Sequence, residues 1–234
     1  MNISYRLVII IAVFITCLIT ANIIAVKVIS LGPFILPAAI FVFPLSYIFG
    51  DILTEVYGYR VARRVIWLGF TCNLIFVFFA CVGQNLPPAV FWEGQGAYES
   101  ILGFAPRLLA ASFCGYLAGE FANSFVLAKM KILTKGRWLW SRTIGSTIVG
   151  QGLDTSIFIT LAFIGTGASV PVMTLHHWLA KIAIEAACTP ATYAIVNWLK
   201  RKENIDTYDY ETRYNPFIIL EKGHSYGNSD SRRT

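Results

Sequence analysis

Charged residues are scarce in this chain. They make up 14% of its 234 residues, and 56% are hydrophobic. A soluble domain carries about 25% charged residues. The mean hydropathy of +0.61 points the same way, so an ordinary soluble enzyme and a disordered chain are both excluded. Cysteine is also sparse. Cys17, Cys72, Cys81, Cys114 and Cys188 are odd in number, sit in or beside apolar runs and form no C-x-x-C pair. They read as small buried hydrophobes, not as a disulfide framework or a metal site. The chain has no H-E-x-x-H and no G-x-x-x-x-G-K-[ST]. No cofactor is implied, no enzyme chemistry is indicated, and any use of ATP would come from another protein.

What the chain does have is long apolar runs, at about residues 5–29, 36–57, 63–86, 107–131, 142–165 and 174–199. A helix needs about 20 residues to cross a bilayer. Barrel strands would be shorter and would alternate in polarity. The first run is too long for a signal-peptide core. The expected fold is therefore an all-α integral membrane six-helix bundle over residues 1–202, followed by a polar tail at 203–234. The tail's last stretch has a disordered composition.

Basic residues give the direction. Arg60, Arg63 and Arg64 follow the second run. Lys129, Lys131, Lys135, Arg137 and Arg142 follow the fourth, and Lys200, Arg201 and Lys202 follow the sixth. The third connection carries Glu93 and Glu99 instead. Positive residues stay on the cytoplasmic side, so both termini are expected there. This placement also accounts for the net charge of +6 without nucleic acid. The third connection, 87–106, is long and aromatic; a lid, a short interfacial helix and a belt-level loop all remain open for it.

Ionisable groups inside a membrane are costly, roughly 2.5–3.5 kcal/mol or more each at the centre of a helix. This chain has several. Tyr47, Asp51 and Glu55 step by four along one face of the second run. Ser146, Gly150 and Asp154 do so on the fifth, and His177, Lys181 and Glu185 on the sixth. Such faces must look into the bundle. Asn22, Lys27, Asn73, Glu120, Asn123 and Gln151 add further polar positions, and interhelical hydrogen bonding stays open for the four amides. Asp51, Glu55, Glu120, Asp154 and Glu185 outnumber Lys27 and Lys181, so some of the carboxylates require a partner that is a proton, water or a substrate. Two pairings within the chain are open: Lys181 with Glu185 four residues on, and Glu55 with Arg60. Gly115 and Gly119 form a G-x-x-x-G beside Glu120, which lets a neighbouring helix approach closely. Pro44 and Pro190 are candidate kinks. Pro44–Gly50–Asp51 and Gly150–Gly152–Asp154 hint at an inverted repeat of interrupted helices, a transporter pattern.

These residues carry a family resemblance. The stretches A-N-I-I-A-V-K at 21–27, F-P-L-S-Y-I-F-G-D-I-L-T-E-V-Y-G at 43–58 and D-T-Y-D-Y-E-T-R-Y-N-P-F at 206–217 stand in order with Trp92, Gly119–Glu120, Asn123, Gly136–Arg137, Leu139–Trp140, Arg142–Thr143 and Asp154–Thr155. Over about residues 15–217 the chain resembles the queuosine-precursor transporters, a subfamily of the vitamin uptake transporters. The resemblance implies a bacterial inner-membrane carrier, similar in architecture to the substrate-binding components of energy-coupling-factor transporters. It implies a small-molecule cargo: 7-deazaguanine precursors of tRNA queuosine, the 7-cyano and 7-aminomethyl bases. The alternative is a binding subunit for another vitamin or nucleobase that depends on a separate ATPase module. Whether the carrier works alone, as a homo-oligomer or with such a module stays open. A guanine-type base offers an N1–H and a 2-amino group that one carboxylate can accept together. Asp154 or Glu120 is expected to take that edge, with Asn22, Asn123 and Gln151 completing the hydrogen bonds. Lys181, Glu185 and Asp51 would orient the site or couple it to a proton. Tyr47, Phe43 and Phe121 would supply aromatic walls.

Overall fold

The structure, a computed structural model, describes residues 4–31, 34–103, 106–165, 170–210 and 212–218. Helix α1 spans Tyr5–Ile24 and is capped by Ser4, whose hydroxyl accepts from the Arg6 amide at 3.2 Å. The run 5–29 reads as one helix, but the helix stops at Ile24. Strands β1 (Val28–Leu31) and β2 (Phe34–Pro37) then pair antiparallel, Val28 opposite Pro37 and Leu31 opposite Phe34. The β-branched Val28–Ile29 and the Gly32–Pro33 turn signal favour a hairpin over further helix. This hairpin is the only departure from an all-helical fold among the described residues.

The second run is helical but irregular. A 3₁₀ turn at Ala38–Phe41 leads into α2 (Phe43–Ile52), which continues as a π-helical turn at Leu53–Tyr57. Pro44 does not kink this helix. It lies in the first turn of α2, where its missing N–H would have had no partner anyway. Then follow α3 (Tyr59–Asn85), α4 (Gln95–Leu102), α5 (Pro106–Leu133), α6 (Leu139–Phe163) and α7 (Val170–Glu203). Helix α6 is unbroken across Gly150 and Gly152, so the interrupted helix of α2 has no counterpart there. Helix α7 carries Pro190 in its interior and still runs 34 residues.

Ser4 and Arg6 both donate to Glu203 Oε1, at 2.6 and 2.8 Å. The start of α1 and the end of α7 therefore lie at one end of the bundle. At the opposite end, α4 sits on the last turns of α3. Gln95 donates to the Gln84 carbonyl at 3.0 Å and Tyr98 to the Ala80 carbonyl at 3.1 Å. Of the three forms open for this connection, the chain takes a short helix, with a shallow apolar groove lined by Trp92, Tyr98 and Ile101.

The polarity is inverted relative to a soluble protein. On α3, Asn73 is 2% exposed, whereas Phe78 and Phe79 are 61% and 64% exposed. Apolar side chains face outward because lipid is as apolar as they are, and the polar ones must satisfy one another inside. Four segments, Tyr5–Ile24, Ala38–Tyr57, Tyr59–Asn85 and Val170–Glu203, are long and apolar enough to cross a membrane. Helices α5 and α6, at 28 and 25 residues, have the length but carry Glu120, Asn123, Gln151 and Asp154. These two helices cross very closely. A methyl group placed on Gly119 would lie 2.9 Å from the Gly150 carbonyl oxygen, and one on Gly150 would lie 2.9 Å from the Gly119 carbonyl oxygen. The G-x-x-x-G expected to permit close approach does so here.

Candidate functional site

Helices α2, α5, α6 and α7 each send a carboxylate into the interior. Asp51, Glu120, Asp154 and Glu185 are all buried, together with Tyr47, Asn123 and Gln151. Glycines make the room. A methyl on Gly119 would meet Asp154 Cβ at 2.6 Å and the Tyr47 hydroxyl at 2.8 Å. One on Gly115 would meet Asp154 Oδ1 at 2.8 Å, and one on Gly50 would meet Glu120 Oε2 at 3.0 Å. Two carboxylates and a phenol thus occupy space that side chains at 50, 115 and 119 would fill. Tyr47 lies within electrostatic reach of Asp154, Glu120 and Glu185, and Asp51 within reach of Glu185 and Glu120.

Compensation is uneven. Lys181 donates to Asp154 Oδ2 at 2.7 Å and stands 4.3 Å from the centre of the Phe43 ring. Phe43 in turn packs on Tyr47, ring centres 5.6 Å apart. Asn123 donates to Asp51 Oδ1 at 2.6 Å. Both oxygens of Glu120 and of Glu185, Asp51 Oδ2, Asn123 Oδ1, Gln151 Oε1 and the Tyr47 hydroxyl have no hydrogen-bond partner among the described residues. Asp51, Glu120 and Glu185 make no ion pair there either. A buried carboxylate left this way is costly unless a donor reaches it. The constellation is therefore a cluster of acceptors in want of hydrogen-bond donors.

The structure answers several questions the sequence left open. Lys181 pairs with Asp154 across helices, not with Glu185 on its own helix. Glu55 bonds Arg142 at 2.7 Å and Lys200 at 2.6 Å. Asn22 donates to Asn73 at 2.7 Å, so this residue of the expected binding set serves an interhelical bond between α1 and α3. Phe121 packs against Trp67 of α3, ring centres 5.8 Å apart. Thr147 escaped notice, and Thr155 stood only as part of the family motif, with no role given to it. Both flank Gln151 at steps of four, are buried, and have unpartnered hydroxyls. Their spacing alone would have placed them on the Gln151 face. The letters G-H-S-Y-G at 223–227 match a short serine-nucleophile pattern. That pattern acts only on a strand-to-helix turn, and those residues lie outside the described ones, as does the rest of the tail after 218.

Together these features define a multi-pass membrane protein with an acid-lined, glycine-notched interior. The family model described as "Putative vitamin uptake transporter" matches residues 37–195, and the chain belongs to that family. It is 33% identical to the "Probable queuosine precursor transporter" of Bacillus subtilis (strain 168) over 156 residues, 65% of this chain and 68% of that protein. It is 28% identical to the "Queuosine precursor transporter" of Escherichia coli (strain K12) over 159 residues, 68% of this chain and 67% of that protein. No solved structure matches the chain.

Proposed function

We propose that this chain imports queuosine precursors, 7-cyano-7-deazaguanine and 7-aminomethyl-7-deazaguanine, across a bacterial inner membrane for salvage into tRNA. All six long helical segments cross the bilayer in an arrangement like the binding components of energy-coupling-factor transporters. The start of α1 and the tail are cytoplasmic. Their common end of the bundle gathers Arg63, Lys131, Arg142 and Lys200, which agrees with the preference of basic residues for the inside.

One observation carries the cargo reading: Glu120 is fully buried with both carboxylate oxygens unpartnered. Two parallel acceptors match the N1–H and 2-amino donors of a guanine-type edge. Asp154, the other candidate, already gives one oxygen to Lys181, so Glu120 takes the base edge and Asp154 with Lys181 frames it. Asn123 and Gln151 turn acceptor oxygens toward the remaining donors, and Phe43 and Tyr47 offer the flat wall. Asp51 and Glu185 complete the acidic shell.

The test is complementation. Bacteria unable to make the deazaguanine base, and lacking their own importer, receive this chain and limiting 7-cyano-7-deazaguanine. The expected result is queuosine in their tRNA. Its absence, with the protein inserted in the membrane, would overturn the reading. A second reading, favoured by the family's description as vitamin uptake transporters, is a binding subunit for another vitamin or nucleobase driven by a separate ATPase. Complementation in a host without such a module separates the two.

A further inference from the structure

Glu55 anchors a second buried charge cluster, distinct from the carboxylate site. Its Oε1 accepts from Arg142 of α6 at 2.7 Å and from Lys200 of α7 at 2.6 Å, and Lys131 of α5 stands 3.7 Å away. Lys131 and Lys200 also hold Oδ1 of the tail residue Asp206, at 2.6 and 2.9 Å. Each helix that carries a site carboxylate thus contributes one charge here: Asp51 and Glu55 share the second segment, Glu120 and Lys131 α5, Asp154 and Arg142 α6, Glu185 and Lys200 α7. At about 1.5 Å per residue the second set lies roughly 6 to 22 Å from the first along its helices, always toward the end where α1 starts and α7 stops.

The tail straps this end. The Thr207 amide donates to the Val56 carbonyl at 3.3 Å, and Lys131 reaches the Thr207 carbonyl at 2.7 Å. Asp209 accepts the Tyr59 amide at 3.0 Å, a carboxylate on the first turn of α3 where the helix dipole favours it. Arg63 donates to the Arg213 and Asn215 carbonyls, both at 2.8 Å, and Trp67 to the Pro216 carbonyl at 2.8 Å. Gly58 lets the chain pass. Its φ is +85°, and a methyl there would lie 2.7 Å from Thr207 Cγ2.

We propose that the Glu55 cluster is the cytoplasmic gate of the carrier and that tail residues 206–210 and 212–217 are the latch holding it shut. The inference rests on reading the chain as a carrier. Passage toward the tail end requires the four helices to part, and the cluster ties all four together. Asp206 decides its balance. With it, two carboxylates face three cations. Without it, Glu55 alone faces Lys131, Arg142 and Lys200, which then repel one another around a single anion.

Cysteine accessibility tests this without any cargo, so the gate and the cargo reading can fail separately. Ser124 is fully buried on α5, one turn from Glu120 toward Lys131, and its oxygen accepts from Thr54 at 3.1 Å. In a full-length chain whose five cysteines are replaced by alanine, Ser124→Cys is labelled with a membrane-impermeant maleimide in inside-out vesicles. Adding Asp206→Asn is expected to raise the labelling rate about tenfold or more. Deleting residues 206–234 should do the same, and Asp206→Glu should keep it slow. A control, Asn73→Cys in the outer half of α3, should not change. Equal rates in the parent and Asp206→Asn chains overturn the proposal, and so does an equal rise at position 73, which would report general loosening.

Discussion

Replacing Gly119 by alanine puts the closest contact of the site under direct test. The new methyl would sit 2.6 Å from Asp154 Cβ, 2.8 Å from the Tyr47 hydroxyl and 2.9 Å from the Gly150 carbonyl oxygen. Carbon atoms rest at about 3.5–4.0 Å, so the shortfall against Asp154 is about 1 Å. A Cβ and a main-chain oxygen cannot swing away as the end of a long side chain can, so α5 and α6 must separate. A radial gap of 0.5–1 Å already forfeits a quarter to a half of a contact's attraction. The whole crossing loosens, and Tyr47 and Asp154 leave their notch. Overpacking of this kind costs about 1–3 kcal/mol. The comparison is Gly152→Ala on α6, where the nearest atom is Trp178 Nε1 at an ordinary 3.4 Å. Thermal unfolding in detergent should therefore rank Gly119→Ala well below the parent and Gly152→Ala beside it, and precursor uptake should follow the same order. If Gly119→Ala unfolds and transports like Gly152→Ala, the reasoning from the α5–α6 crossing is refuted.

Three other perturbations follow from the charges. Glu120→Gln should weaken the apparent affinity for 7-cyano-7-deazaguanine roughly 10- to 150-fold, from about 1.5–3 kcal/mol for hydrogen bonds to a charged group. Wild-type uptake kinetics in correctly inserted Glu120→Gln protein would remove Glu120 from the site. Lys181→Met leaves Asp154 buried without its cation and should cost about 3–5 kcal/mol of stability. Lys181→Met with Asp154→Asn should recover part of that, and a double variant no more stable than the single one would sink the pairing argument. Burial raises the Asp206 carboxyl, but hydrogen bonds from Lys131 and Lys200 outweigh it and hold the group below its ordinary value. A lowered folded-state value stabilises the fold above about pH 4 and loses that effect as pH falls through it. The melting difference between parent and Asp206→Asn should accordingly be present at pH 7 and shrink on acidification toward pH 3. A constant difference would contradict the assignment.

The membrane class followed from composition and run length, because a bilayer imposes a length and a polarity that no local contact can override. The helical faces carrying Tyr47–Asp51–Glu55 and Lys181–Glu185 were legible from steps of four, as was the close approach at Gly115–Gly119, because helix geometry repeats locally. Partners across helices were not. Spacing offered Glu185 as one open partner for Lys181, but a flexible lysine finds whichever carboxylate the neighbouring helix presents, and α6 presents Asp154. Asn22 meets Asn73 for the same kind of reason. The hairpin after Ile24 and the π turn under Glu55 are local departures that apolar runs conceal, since hydrophobicity marks burial in lipid and not backbone shape. The tail motif at 206–217 stood out in the sequence, but its polar letters gave no destination. Only the folded bundle gathers Glu55, Lys131, Arg142 and Lys200 from four distant segments into one place that a single aspartate can close.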